Sequence, residues 1–448
     1  MERFRYFYRI IRNFLVGSHE LSSVYFKQVS ATFIIKALGV LISLVYVPLV
    51  LGFLDKERYG IWVTLTTIVH WVRLADLGIG GGMRLKLSEA IALKDNRLGR
   101  IHISTTYGLI GGLFLFILLI FYFINPYLNW QTILNSTLIE KTELTRLATV
   151  TVTFFILGFI LKTVNLVYLA HGNSFAESLV HFITSSGSLL LIFLASRFTE
   201  QGNLILLAAI VTGMPVFVNA GLSVYTFYVK YPHFRPSFKL IKLRESGSLM
   251  KLSLQSFIST VTYLIIYGSV PFVVAQLYSP SEVTIFSIAY SMFNLPIMLI
   301  SLIAAPIKPL ITIAYTKKDF GWIRHMQNRL NKIALLLVAG TVLMIVFNQF
   351  IYHIWIGDKA TIPFLLSAAI GVFAIINILQ HANSIIVLGT GKMMINVILS
   401  PINISLFIGL SILLSGILNN VISVAFALTI TCLIPLIVYP FWLKKILA

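Results

Sequence analysis

Apolar residues come along this chain in long continuous runs. Runs long enough to cross a bilayer cover residues 31–54, 60–82, 102–124, 147–170, 179–197 and 204–228. After a polar, basic stretch come 252–277, 283–309, 333–355, 361–387, 394–416 and 421–443. A helix needs about 20 apolar residues to cross the hydrocarbon core, and it satisfies its own backbone hydrogen bonds there. A barrel strand would alternate apolar and polar positions, which these runs do not. The pattern predicts an all-α polytopic membrane protein with twelve transmembrane helices.

The basic stretch at 229–251 leaves six runs on each side, and weak internal matches connect the two sets. Val47-Pro48 matches Val270-Pro271, and Leu54 matches Leu277, both at an offset of 223. Lys56-Glu57-Arg58 aligns with Ser281-Glu282-Val283 at 225, and His171-Gly172-Asn173 with Thr390-Gly391-Lys392 at 219. All three offsets lie near half of the 448 residues. Six crossings return the chain to its starting side, so the halves share one orientation. They are expected to be parallel repeats about a pseudo-two-fold along the membrane normal, an arrangement of transporters. The predicted organisation is a basic N-terminal segment (1–30), a first six-helix lobe (31–228), a cytoplasmic connection (229–251), a second lobe (252–443) and a short tail (444–448).

Composition agrees and adds a direction. Hydrophobic residues make up 58% of the chain and charged residues 11%, against about 25% charged in an ordinary soluble domain. The mean hydropathy is +0.91. Lys and Arg number 34 against 15 Asp and Glu, a formal charge of +19. In a soluble protein that excess would suggest nucleic acid; here the cations fall between the apolar runs, where they set topology. With the N-terminus inside, the cytoplasmic segments hold 24 Lys and Arg, and the outside segments only Lys56, Arg58, Lys141, Arg146, Arg197 and Lys359. Both termini are therefore expected in the cytoplasm. Residues 1–27, with Arg3, Arg5, Arg9 and Arg12 among aromatics, suit an interfacial helix and lack the features of a cleavable signal peptide. The 83–101 connection suits a short amphipathic helix, with Leu87, Ile91 and Leu98 on one side. Cys432 is the single cysteine, which excludes disulfide frameworks and paired-cysteine metal sites.

Charges inside the runs are the candidate chemistry, because each costs about 2.5–3.5 kcal/mol at the bilayer centre. Lys36 lies in the first run, His70, Arg73 and Asp76 in the second, Lys162 in the fourth and Lys308 at the inner end of the eighth. His70, Arg73 and Asp76 follow at three-residue steps and can share one face. The alternatives are a self-neutralised Arg73–Asp76 pair, snorkelling of Lys36 and Lys308 to the interface, and a satisfied interior His70. Asp76 is the one acid in this set. The second half offers uncharged polar groups instead: Gln255, Ser259, Thr262, Tyr263, Asn294, Asn377, Gln380 and Asn383. A cavity so balanced favours an anionic head group over a cationic drug, with Arg pairing phosphate through two hydrogen bonds and Lys acting as a point charge.

Enzyme motifs fail. Gly389-Thr390-Gly391-Lys392 lacks the earlier Gly and the following Ser or Thr of a phosphate loop. No HExxH, CxxC or nucleophile-elbow pattern occurs. The outside loop 125–146 carries only Glu140, Lys141, Glu143 and Arg146, too few charges for a polymerase or ligase with an outward active site. Asn135-Ser136-Thr137 fits a glycosylation sequon and carries no functional weight. The chain is expected not to be an enzyme and to use no cofactor, no metal and no nucleic acid.

The run Glu57-Arg58-Tyr59-Gly60-Ile61-Trp62, then Ala75-Asp76-Leu77-Gly78-Ile79-Gly80 and the basic loop from Arg84, resembles the opening of Wzx-type O-antigen and polysaccharide flippases. These belong to the multidrug/oligosaccharidyl-lipid/polysaccharide (MOP) exporter superfamily. The resemblance extends to length, span count and two-half layout, with its sharpest motif at 57–84. It implies two six-helix lobes around a central cavity. It also implies movement of an undecaprenyl-pyrophosphate-linked oligosaccharide, such as a repeat unit of lipopolysaccharide biosynthesis, from the inner to the outer leaflet of the bacterial inner membrane by alternating access. Lys36, Arg73, Lys162 and Lys308 would then be the substrate-binding cations, and Asp76 and His70 candidate ion-coupling groups. The implied partners are the lipid-linked oligosaccharide, membrane lipids and the polymerase and glycosyltransferases of the same pathway. The competing readings are a cation-coupled multidrug exporter of the same superfamily and a membrane glycosyltransferase or polymerase.

Overall fold

The computed structural model describes residues 23–76, 78–199, 202–242, 254–392 and 394–447, with side chains at 23–30, 254–257, 259, 260, 305 and 306 outside the description. The expected interfacial segment before residue 23, part of the 229–251 connection, and the side chains of Gln255 and Ser259 thus lie outside the described residues. Among those described there is no strand.

The first half contains α1 (Ser23–Phe53), α2 (Lys56–Trp71), α3 (Ile79–Ala92), α4 (Asn96–Ile124), the single turn α5 (Trp130–Ile133), α6 (Lys141–Leu161), α7 (Val164–Ala170), α8 (Ser174–Phe198) and α9 (Leu204–Val224). The second half contains α10 (Leu254–Ile266), α11 (Val270–Leu277), α12 (Pro280–Thr316), α13 (Phe320–Val346), α14 (Asn348–Ile356), α15 (Phe364–Thr390), α16 (Met394–Leu418) and α17 (Ile422–Leu447). Ten stretches among the described residues are helical, long and apolar enough to cross a membrane; the chain is a multi-pass membrane protein. Their starts are chemically marked. Asp55, Asp95, Asn173, Asn203, Ser279 and Asp319 each accept a hydrogen bond from a backbone N–H three residues on, as N-caps do. Gly391, at φ +72°, ends α15 in the left-handed conformation.

Four of the twelve expected runs are not continuous helices. The fourth breaks at Lys162 and Thr163, between α6 and α7, and the ninth at Phe347, between α13 and α14. The second ends as a helix at Trp71, passes through a 3-10 turn at Val72–Asp76, and restarts beyond Gly78, whose φ is +81°. The new helix, α3, runs on to Ala92 with Leu87 buried and Ile91 half-buried. The amphipathic helix expected at 83–101 therefore starts earlier than the apolar pattern indicates and ends before Leu98, which belongs to α4. The seventh run breaks between α10 and α11, where Pro271 enters the first turn of α11. The 310–332 connection is almost entirely helix: α12 runs to Thr316 and α13 starts at Phe320. Polar sequence at a bilayer boundary does not by itself end a helix.

The buried core decides the shape. One large cluster joins both halves at the far end, away from the N-terminus of α1; it includes Val50 and Phe53 of α1, Leu65 of α2, Val274 of α11, Phe286 and Phe293 of α12, and Ile356 of α14. At the end carrying the basic segments the core divides. One cluster there comes from the first half alone (Met83, Leu87, Ile103, Val167, Phe234), and another from the second half alone (Ile300, Ile311, Leu330, Ile386, Leu443). Residues 231–242 belong to the first half's surface: Arg100 Nε donates to the Arg235 carbonyl at 2.7 Å, and the Ser237 and Lys242 N–H groups bond Ser104 and Thr105 on α4 at 3.0 Å each.

Hydrogen bonds between the halves gather at the far end. Thr284 donates to the Lys56 carbonyl at 2.5 Å. The Asn135 amide donates to the carbonyls of Ala275 and Tyr278 at 2.8 and 3.1 Å, so the asparagine of the sequon serves as a tie between halves. Pro48 removes the helical donor that Leu44 O would otherwise receive; Trp355 Nε1 of α14 supplies one at 2.7 Å, and Lys359 Nζ bonds the Pro48 carbonyl at 2.8 Å. Gly60 lies so close to the Pro280 carbonyl that an added Cβ would come within 1.8 Å of it. The halves are joined at one face and parted at the other.

Candidate functional site: a cavity between the halves

The parting encloses a cavity of about 1160 Å³, walled by both halves and lying toward the basic face. Each contributing helix presents one stripe at three- and four-residue spacing. On α1 the stripe is Lys36, Gly39, Ser43 and Tyr46, and on α8 it is Glu177, His181, Thr184, Ser185 and Ser188.

Two helix breaks carry the central cations. Arg73 sits in the 3-10 turn after α2. Asp76 Oδ1 accepts the Gly80 N–H at 3.3 Å and so caps the start of α3. Lys162 occupies the turn between α6 and α7, held by amides: Asn165 Nδ2 donates to the Lys162 carbonyl at 3.2 Å and to Asn219 Oδ1 at 2.8 Å, and Asn219 Nδ2 donates to the Pro215 carbonyl at 2.7 Å. Pro215, inside α9, is part of what positions the break.

Lys36, Arg73 and Lys162 all stand on the cavity wall with exposed side chains. They form one electrostatic group: Lys162 feels Arg73 and Glu177, and His181 feels Lys162, Glu177, Arg73 and Lys36. The Arg73 guanidinium lies 5.5 Å from the centre of the Phe155 ring, a cation–π contact, and it forms no ion pair with a carboxylate among the described residues. The Arg73–Asp76 pair expected as an alternative does not form, because Asp76 is engaged as a helix cap.

The other three site residues are not on the wall. His70 packs its ring 5.6 Å from that of Phe155. Asp76 faces the α3 backbone. Lys308 lies six positions past Leu302, the last α12 residue on the wall, roughly 9 Å further along the helix. Its side chain is exposed near the basic end. Of the expected neutral groups, Thr262, Tyr263, Asn294, Asn377 and Gln380 line the cavity, whereas Asn383 accepts a hydrogen bond from Gln327 at 3.1 Å and does not.

Several wall residues escaped the sequence reading, among them Glu177, His181 and His381. Glu177 and His181 stand one turn apart on α8, near the end of an apolar run where Glu177 reads as loop. Among the described residues the acid on the cavity wall is Glu177, not Asp76. The available signal was the polar stripe from Glu177 through His181 and Ser185 to Ser188, at helical spacing inside a membrane span.

The second half's wall has a different chemistry. Among the described residues it contributes no Asp, Glu, Lys or Arg. Its polar groups pair: Ser301 with His381 at 3.1 Å, Thr262 with Ser400 at 2.6 Å, Tyr439 with Asn396 at 3.0 Å, and the Asn377 amide with the Tyr267 hydroxyl at 3.3 Å.

No protein-family model and no curated protein sequence matches the chain, but solved structures do. An inward-facing multidrug resistance MATE family transporter of the MOP superfamily is similar over 98% of both chains, with a TM-score of 0.72 and 15% identity. The lipid II flippase MurJ, in its inward closed conformation, is similar over 92% of this chain and 87% of its own, with a TM-score of 0.68 and 16% identity. A MOP superfamily transporter from Pyrococcus furiosus, described as having a binding pocket of reverse polarity, is similar over 94% and 95%, with a TM-score of 0.60 and 15% identity. These proteins are transporters and a flippase, and this chain shares their fold.

Proposed function

We propose that the chain flips an oligosaccharide, carried on a polyprenyl pyrophosphate, from the inner to the outer leaflet of a bacterial cytoplasmic membrane by alternating access. In this reading twelve membrane segments, four of them broken, make two six-helix lobes. Both termini lie inside, and the cavity faces the cytoplasm. The observation that carries the proposal is the basic wall of Lys36, Arg73 and Lys162 in a cavity parted toward the face rich in Lys and Arg. Arg73 would grip pyrophosphate oxygens in pairs, and Lys162 and Lys36 would supply point charge. The polyprenyl chain would remain in lipid between the lobes. An inside-negative potential favours outward movement of the anionic head group by about 2.3 kcal/mol per charge per 100 mV. The reading implies glycosyltransferases that build the lipid-linked unit and a polymerase that consumes it.

A surface-glycan complementation assay tests this. A hydrogen bond to a charged group contributes about 1.5–3 kcal/mol, so Arg73→Ala or Lys162→Ala should lower glycan display about tenfold or more at native protein level. Full display by both variants would remove the basic wall from the mechanism.

Glu177 favours one second reading, a cation-coupled drug exporter, because such a carrier needs a carboxylate in its cavity. That reading expects Glu177→Gln to abolish drug resistance with glycan display unaffected. The flippase reading expects the reverse pattern: glycan display changes and no resistance exists to lose.

A further inference from the structure

The cavity is chemically two-sided, and its neutral side is as well built as its basic one. We propose that the wall formed by the second half is the subsite for the sugars, reading uncharged rings through hydroxyl and acetamido groups while the pyrophosphate lies against the first half. This rests on the flippase reading above and adds which part of the substrate each wall holds.

Among the described residues, three buried amide oxygens on the cavity wall have no hydrogen-bond partner from the protein: Gln380 Oε1 and Asn403 Oδ1 in the second half, and Asn165 Oδ1 in the first. Asn403 is 8% exposed and Asn165 3%. A buried acceptor without a donor is destabilising. Pyrophosphate oxygens cannot supply the donor, because they are acceptors themselves. Sugar hydroxyls and acetamido N–H groups can. A hydroxyl also accepts, so it fits either orientation of the amide.

Tyr263 adds a stacking surface. It is 61% exposed although it stands on the cavity wall, and its ring lies 5.2 Å from that of Tyr267 at a tilt of 44°. An aromatic face beside hydroxyl-bearing side chains suits a sugar ring, whose C–H face is apolar and whose rim is polar. The described residues of this wall include no Asp, Glu, Lys or Arg, and their one histidine, His381, is engaged with the Ser301 hydroxyl at 3.1 Å, so the wall favours neutral rings. The size also fits: about 1160 Å³ exceeds the roughly 300–1,000 Å³ of a small-molecule pocket.

The test is equilibrium binding to the full-length protein in nanodiscs. The probes are geranylgeranyl diphosphate and a panel of its derivatives bearing a neutral, an amine-bearing or a uronic-acid disaccharide. The expected result is that a neutral disaccharide tightens binding about tenfold or more over bare diphosphate, a gain equivalent to one or two good polar contacts. Tyr263→Leu and Gln380→Leu should each remove most of that gain and weaken the bare diphosphate by less than about twofold, which also reports that the variants are folded. Tyr263→Phe, which keeps the ring, should retain the gain. The subsite is overturned if no panel member binds more tightly than bare diphosphate, if a charged disaccharide gains more than the neutral one, if the gain survives both leucine variants, or if those variants weaken both kinds of probe equally. In each of those outcomes wild type still binds bare diphosphate and the flippase reading stands. Failure of wild type to bind bare diphosphate overturns that reading, and the subsite with it.

Discussion

Asp76 shows how a membrane-embedded charge can be structural. Its carboxylate takes up the Gly80 N–H at the start of α3, so the side chain needs an acceptor oxygen and not a titrating proton. Asp76→Asn keeps that acceptor and should leave transport within about twofold of wild type, whereas Asp76→Ala should lower stability by about 0.5–2 kcal/mol, as lost caps do. Thermal unfolding beside a transport assay checks this; loss of transport by the asparagine variant would return Asp76 to ion coupling. Gly60 is the other decisive residue. A methyl there would meet the Pro280 carbonyl, and overpacking of this kind costs about 1–3 kcal/mol. Gly60→Ala should therefore lower the melting temperature and admit reagent from the far face. An unchanged melting temperature would mean that α2 and α12 are free to separate.

At the scale of elements, the tie between α1 and α14 follows from one missing N–H. Pro48 leaves Leu44 O without its helical donor, and Trp355 supplies one from the other half of the chain. The two residues should therefore be energetically coupled. Trp355→Phe alone should destabilise the closed far face, and Pro48→Ala, which restores the helical donor, should relieve that effect. A double-mutant cycle on unfolding should give a coupling of about 0.5–3 kcal/mol; additivity would show that Leu44 O does not need the indole. The same elements show where apolar pattern reading stops. The runs at 60–82 and 252–277 are apolar enough to read as single helices, yet each breaks. The breaks are stabilised by Gly78 and Asp76 in one case and by the early Pro271 of α11 in the other. Hydropathy averaged over a whole run does not register a turn of a few residues inside it.

Across the whole molecule, one shared core at the far end and two separate cores at the basic end amount to a hinge with one open side. Cysteines introduced at Ser43 or Ser185, both on the cavity wall, in a Cys432→Ser background should react with a membrane-impermeant maleimide from the basic face and not from the far face. Cys432 is buried and bonded to the Tyr267 hydroxyl at 3.2 Å, a contact that serine can keep. Equal labelling from both faces would contradict the closure formed by Asn135, Thr284, Trp355 and Lys359.

Most of the helical content was legible in the sequence because its cause is local. A span must satisfy its own backbone in lipid, so continuous apolar runs mark the helices. Lys36, Arg73 and Lys162 stood out as charges too costly to keep without a wet or charged surrounding. Pattern alone could not separate them from His70, Asp76 and Lys308, nor bring Glu177 and His181 in beside them. Which stripe of a helix meets the cavity depends on its rotation about its own axis. That rotation is set by contacts between residues far apart in the chain, such as Gly60 with Pro280 and Trp355 with Leu44. The chain's own order thus determined that it crosses a membrane many times and where its cations gather. Only tertiary packing decided that the core divides at one end, because that division depends on which helices touch.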